Sequence, residues 1–215
     1  LVKIFTNFFN NINFIIFYFP KSNNWRGFKD HSYLMKFKKF KFKKVKNTNN
    51  TAMRIIQNTQ CKYGMVISES QIKGKGQYGR KWISYKGNLF VSFFYELNKI
   101  KFSISSLTKY NCLLVKKLIS KYTYKKIYFK KPNDLLIEKK KICGILQEII
   151  YKSNKKYLIT GIGINIIKSP YIKNYPTTNL NEMATKHIKI NEVENSLKEI
   201  FENNLLKMYS IKGNS

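Results

Sequence analysis

The stretch Gln71-Ile72-Lys73-Gly74-Lys75-Gly76-Gln77-Tyr78-Gly79-Arg80-Lys81-Trp82 constrains this chain more than any other. Gly74, Gly76 and Gly79 let the backbone take positive φ and approach a ligand closely. Lys73, Lys75, Arg80 and Lys81 gather positive charge in the same place, so the segment reads as a loop that closes on a phosphate-bearing ligand. Glycine and lysine also make plain solvated turns, and taken alone the stretch leaves both readings open.

With 215 residues the chain can hold one ordinary domain and a short appendage. A formal charge of +30 usually points to nucleic acid or an anionic membrane surface. Here the 41 basic residues include only three arginines, Arg26, Arg54 and Arg80, and the chain is equally crowded with Asn and Ile. That bias fits an A- and T-rich genome, and it spreads lysine everywhere instead of focusing an arginine-rich reading face, so specific DNA binding is not expected. Cys61, Cys112 and Cys143 form neither a disulfide framework nor a Cys-x-x-Cys site. A reducing cytoplasm is the default, with each cysteine a small hydrophobe.

Residues 1–37 stand apart as a poorly specified N-terminal extension, rich in Phe and Ile but broken by Asn7, Asn10, Asn11 and Asn13. Its longest clean apolar run, Phe14 to Phe19, is far short of the ~18 residues of a membrane span. It also lacks a basic n-region and a small-residue cleavage site, so no secretory signal is expected.

Further on, Phe37, Phe40, Phe42 and Val45 alternate loosely among lysines as an edge strand over 37–45. Asn47 to Asn49 can cap a helix on which Ala52, Ile55 and Ile56 share a face. Residues 63–68 read as a strand that delivers the glycine loop. Over 88–97, Leu89, Val91, Phe93 and Tyr95 alternate with Phe90 and Phe94, which predicts a strand covered on both sides. A helix is expected over 103–122. It is followed by a short strand over 126–129, which Pro132 terminates and Asn133-Asp134 turn. Residues 135–138 and 141–151 form a hairpin, 157–167 a strand, and 193–209 a last helix.

Three segments follow the loop in fixed order: Lys130-Lys131-Pro132-Asn133-Asp134, Lys141-Ile142-Cys143-Gly144-Ile145-Leu146-Gln147-Glu148 and Gly161-Ile162-Gly163-Ile164-Asn165. With the loop and Asn47-Thr48-Asn49 they resemble the catalytic domain of biotin protein ligases, whose patterns are Ser-Thr-Asn, Gly-Arg-Gly-Arg-x-Gly-Arg-x-Trp, Lys-Trp-Pro-Asn-Asp, Lys-x-x-Gly-Ile-Leu-x-Glu and Gly-x-Gly-Ile-Asn. The chain departs from them at Asn47, Lys75, Gln77 and Lys131, where Ser, Arg, Arg and Trp are usual.

The resemblance implies an α+β domain over 38–215 of the class II aminoacyl-tRNA synthetase-like, biotin/lipoate ligase type, a mixed and mainly antiparallel sheet packed with helices. It implies that Asn47, Thr48, Asn49, Gln71, Lys75, Gly76, Gln77 and Lys130 bind biotin. It places Gly74, Tyr78, Gly79, Trp82, Asn133, Asp134, Gly144 and Asn165 on ATP or the adenylate. Lys130, Lys141 and Arg80 would be catalytic, and Asp134 a ligand of Mg²⁺. Turn formation alone would explain Asn133 and Asp134, and Trp82 is equally a core aromatic at the loop's exit.

The implied activity is ATP-dependent, with ATP, biotin and Mg²⁺ as small-molecule partners. Biotinoyl-5′-AMP forms, and biotin passes to a lysine of the biotin carboxyl carrier protein of acetyl-CoA carboxylase. A monofunctional cytoplasmic ligase is expected, since residues 1–37 hold no winged helix-turn-helix. The family's small C-terminal β domain would be absent after Ser215, and homodimerisation is left open. Two alternatives remain: a lipoate-protein ligase, disfavoured because an Arg-Arg-x-Ser-Gly-Gly-Gly loop is missing, and a decayed ligase acting as a basic binding protein.

Overall fold

The structure is a computed structural model that describes residues 36–97, 100 and 103–210; expectations for residues 1–35 lie outside them. Among the described residues nine strands and four helices follow one another: β1 Lys38–Phe42, α1 Thr48–Asn58, β2 Tyr63–Ser68, β3 Gly74–Lys75, β4 Lys81–Trp82, β5 Leu89–Glu96, α2 Ile104–Ile119, β6 Ile127–Lys130, β7 Asp134–Ile137, β8 Lys140–Lys152, β9 Lys155–Ile164, α3 Leu180–Met183 and α4 Ile190–Ser210. Seven strands form one sheet in the order β1-β2-β5-β9-β8-β7-β6. Only β1 and β2 run parallel; the other neighbours are antiparallel.

Because side chains alternate across a strand, each strand supplies both faces. On β5 the Leu89, Val91, Phe93 and Tyr95 side enters the larger core with α2 and α4, where the Phe93 and Phe201 rings stack 4.1 Å apart. Phe94 on the opposite side joins Val66, Tyr157, Ile159 and the α1 residues Ala52 and Ile56 in a second cluster. The strand is therefore covered on both faces, as its double alternation predicts. Phe37 also belongs to this body: it is buried, and its ring meets Phe93 edge-on at 5.0 Å, so the extension drawn over 1–37 ends before it.

Several boundaries differ from expectation for local reasons. Strand β1 ends at Phe42, and Val45 instead makes an isolated bridge to Gln71, which ties the start of α1 to the glycine stretch. That stretch is a small β3–β4 hairpin closed by a 3-10 turn over Gln77–Gly79, where Tyr78 and Gly79 have φ of 55° and 73°. Asp134 is not a turn residue; it opens β7 opposite Lys130, and the turn is confined to 131–133, with a cis Lys131–Pro132 bond. The next turn falls on Glu138 and Lys139, both at positive φ, one residue earlier than the sequence suggests. Strand β9 stops at Ile164 and does not reach 167, because Asn88 Oδ1 accepts hydrogen bonds from the backbone N–H groups of Ile166, Ile167 and Lys168. Among the described residues no helix is long and apolar enough to cross a membrane.

Candidate active site

The sheet face that carries α1 changes character along its length. Beneath the helix it presents Phe94, Ile159 and Tyr157; further along, the same alternation presents Ser92, Gly161, Gly163 and Gly144. Ser92 pairs with Gly161, and Gly144 with Gly163, so small residues on three adjacent strands leave a floor without bulky side chains. Over it lies a cavity of about 670 Å³, walled by the start of α1, the β3–β4 hairpin, the β6–β7 turn, and the segments carrying Asn165 and Tyr175.

Every site residue expected from the sequence borders this cavity except Gly74 and Gly79. Gly74 is buried in the hairpin, where an added Cβ would lie 2.4 Å from the Trp82 carbonyl oxygen; Gly79 serves the turn with its positive φ. Tyr78 borders the cavity but is 88% exposed.

One end of the cavity is a network of amides and hydroxyls. Asn47 caps α1 through Oδ1, which accepts from Asn50 N–H at 2.8 Å. Thr48 N–H donates to Gln71 Oε1 at 2.8 Å, and Gln71 Nε2 donates to Ser84 Oγ. Ser92 Oγ lies 2.7 Å from Thr48 Oγ1 and 2.5 Å from Asn49 Oδ1. Asn49 Nδ2 donates to Glu148 Oε2 at 2.7 Å, and the other Glu148 oxygen takes Lys75 Nζ at 2.8 Å. That ion pair fastens the glycine hairpin to β8.

The other end gathers cations and aromatic rings. Lys141 Nζ sits 2.8 Å from Asp134 Oδ1, and the Tyr175 hydroxyl donates to Asp134 Oδ2 at 2.7 Å. Lys130 Nζ lies 4.2 Å from the Tyr175 ring centroid and Lys141 Nζ 5.6 Å from it, so both ammonium groups lie near the one ring. Burial, then the hydrogen bond and charge of Asp134, raise the Tyr175 phenol well above its usual value and keep it a donor. Asp134 Oδ2 is hydrogen-bonded while Oδ1 faces Lys141 as an ion pair and has no hydrogen-bond partner, and among the described residues no group of three or more His, Cys, Asp and Glu could hold a metal ion. Asp134 thus stands at the cavity paired with a lysine.

Trp82 is half-buried at the exit of the hairpin. Its indole packs flat on the floor, where a Cβ on Gly163 would come within 2.5 Å of it, and it also walls the cavity. Its Nε1 is buried without a partner, as is Asn165 Oδ1, although Asn165 Nδ2 is held by the Thr178 carbonyl. Buried polar atoms are seldom left unpaired, and here a donor and an acceptor both border a cavity of ligand size. Cys143 lies behind Gly144, where burial raises its thiol and makes it inert packing.

Sequence reasoning singled out neither Tyr175, which borders the cavity, nor Ser92, which holds Thr48 and Asn49 in place. Ser92 had a signal, being the polar residue on the Phe90 and Phe94 face of an apolar strand. Tyr175 opens the Tyr175-Pro176-Thr177-Thr178-Asn179-Leu180 stretch, which resembles the family's Pro-Ala-Thr-Ser-Leu segment, but its neighbours in space lie about 40 residues away in the chain and give the ring itself no local signal.

A mixed sheet backed by α2 and α4, with α1 and a glycine hairpin enclosing a lysine-lined cavity, defines an α+β domain of the class II aminoacyl-tRNA synthetase-like, biotin/lipoate ligase type. The model of the biotin/lipoate A/B protein ligase family matches residues 40–165, and the chain belongs to that family. It is similar to the bifunctional ligase/repressor BirA of Escherichia coli, 32% identical over 102 residues that make up 46% of this chain and 32% of that protein. It is also similar to biotin–protein ligase 2 of Arabidopsis thaliana, 34% identical over 122 residues, 54% of this chain and 35% of that one. The chain thus spans about a third of the length of these curated relatives. Among solved structures, biotin protein ligase from Aquifex aeolicus in complex with biotin and ATP superposes with a TM-score of 0.69 at 26% identity, covering 81% of this chain and 73% of that one. The Leishmania major biotin protein ligase, at 23% identity and the same TM-score over 79% and 75% of the chains, shares the fold.

Proposed function

We propose that the chain is an ATP-dependent biotin–protein ligase. The observation that carries the reading is a single cavity with a neutral hydrogen-bonding pocket at one end and two converging lysines at the other. Thr48, Asn49 and Gln71, held in a network with Ser92, border the cavity with hydroxyl and amide groups of the kind a buried ureido ring can pair with. The Aquifex relative, which is described with biotin and ATP, supports the same assignment.

The first step sets the biotin carboxylate against the α-phosphate of ATP. Two unit charges 4 Å apart repel by ~4 kcal/mol at the effective dielectric of a protein surface. Lys130 and Lys141 stand where fixed positive charge can offset that repulsion and the charge that develops on the phosphate. Oxygen of the carboxylate bonds to the α-phosphorus, the bond to the β-phosphate bridge breaks, and biotinoyl-5′-AMP and pyrophosphate form. Mg²⁺ enters with the nucleotide as part of the substrate. In the second step the ε-amine of an acceptor lysine takes the acyl group and AMP leaves, the acceptor being the carrier domain of a biotin-dependent carboxylase. Between the steps, the hairpin held by Lys75 and Glu148 shields the adenylate from water.

Incubation with MgATP and either biotin or lipoate tests the reading. Pyrophosphate release that depends on biotin and not on lipoate is expected. Release with lipoate alone would overturn the assignment, and salt-sensitive nucleic-acid binding with neither release would favour the basic binding protein.

At the hairpin turn, Gln77 borders the cavity with a neutral amide where the family pattern carries arginine. An amide keeps hydrogen bonding but gives up the charge-assisted fork to phosphate. Gln77→Arg is therefore expected to slow escape of biotinoyl-5′-AMP about tenfold, followed as adenylate in the filtrate after single turnover. Equal escape rates would show that this position does not retain the adenylate.

A further inference from the structure

We propose that Tyr175 is a positioning residue for the adenylation step, its ring holding Lys130 and its hydroxyl holding Asp134 and, through it, Lys141. The proposal rests on the ligase reading above for its chemistry, and on geometry alone for the positioning itself.

Lys130 is exposed, and among the described residues no carboxylate forms an ion pair with it. A lysine side chain free to rotate spreads its charge over many positions, and ordering it costs conformational entropy. The contact that restrains it is the Tyr175 ring, 4.2 Å from Nζ, within the range at which an ammonium is attracted to an aromatic face. The neighbouring Lys131 is exposed and adds like charge instead of a restraint. Lys141 is fixed differently, by Asp134 at 2.8 Å, and the second oxygen of that carboxylate is fixed by the Tyr175 hydroxyl. One residue thus touches the restraint on each cation.

The segment that carries Tyr175 is itself fixed to one of those lysines. Lys141 N–H donates to the Pro176 carbonyl at 2.8 Å, and the Lys141 carbonyl accepts from Thr178 N–H at 2.9 Å. Asn165 Nδ2 holds the Thr178 carbonyl, and Leu180 N–H donates to the Asn165 carbonyl. Backbone bonds to the residues that follow it therefore set the register of Tyr175 against Lys141, so the ring's place beside the two cations follows from the fold and needs no ligand.

Two variants separate the ring from the hydroxyl. Tyr175→Phe keeps the ring and loses the bond to Asp134; Tyr175→Leu loses both. In the ligand-free protein, the ε-methylene protons of Lys130, assigned with Lys130→Arg, should be shifted upfield by the ring in wild type and in Tyr175→Phe and return to ordinary values in Tyr175→Leu. For biotin-dependent pyrophosphate release, kcat/KM for MgATP is expected to fall about fivefold in Tyr175→Phe and about 50-fold in Tyr175→Leu, with biotin affinity unchanged. Ordinary Lys130 shifts in wild type, or an unaltered kcat/KM in Tyr175→Leu, would overturn the proposal. A wild type that shows the upfield shift but releases no pyrophosphate with biotin would instead overturn the ligase reading and leave the positioning intact. If Tyr175→Leu does not fold, the wild-type and Tyr175→Phe shifts still decide.

Discussion

Lys130→Ala is expected to slow biotin-dependent pyrophosphate release about 10²- to 10³-fold while moving the melting temperature by no more than about 2 °C. The separation of effects follows from where the residue sits. Its ammonium is exposed and rests on a ring, so the folded protein loses little without it. The reaction loses a fixed cation at the point where a carboxylate must approach a phosphate, and preorganised charge is worth most at such a point. Lys141 would give a less clean answer. Its removal strands the largely buried Asp134 carboxylate, and breaking such a pair costs stability as well as rate. Comparing single-turnover rates with thermal unfolding separates the two cases. A rate loss for Lys130→Ala below about threefold would remove this residue from the reaction.

Gly161→Ala should damage the other end of the cavity. An added Cβ would lie 2.3 Å from Asn49 Oδ1, which Ser92 Oγ contacts at 2.5 Å in a fully buried setting. Asn49 has little freedom to retreat, because its Nδ2 is held by Glu148 and by the Leu146 carbonyl. Overpacking of this kind costs roughly 1–3 kcal/mol, or about 3–10 °C in a domain of this size. Biotin affinity should fall more than tenfold, since the displaced amide belongs to the proposed ureido pocket. The double variant Gly161→Ala with Asn49→Ala relieves the clash, so it should recover stability without recovering affinity. Calorimetric titration with biotin beside thermal unfolding reads both quantities, and wild-type affinity in Gly161→Ala would place biotin elsewhere.

Local pattern carried much of the fold. Strand β2 runs over the expected residues 63–68, and the two-sided burial of β5 and the presence of α2 within the expected 103–122 were legible because periodicities of 2 and 3.6 report directly which side of an element is covered. Turn placement was less legible: Asp134 looks like a turn former, yet pairing with Lys130 and the pull of Lys141 and Tyr175 draw it into a strand. The site was legible to the extent that its residues lie in contiguous motifs. Their convergence on one cavity was not, because Asn49, Ser92 and Gly161 meet only through the sheet's strand order. Tyr175 marks the limit, since nothing in its local sequence announces two cations near its ring.

The most direct measurement is mass spectrometry of a biotin carboxyl carrier domain after incubation with the full chain, MgATP, and equal biotin and lipoate. Addition of one biotinoyl group to a single lysine, dependent on ATP and on Lys130, is the expected result. A carrier left unmodified by a folded chain that binds biotin, or one bearing lipoate in place of biotin, would contradict the assignment.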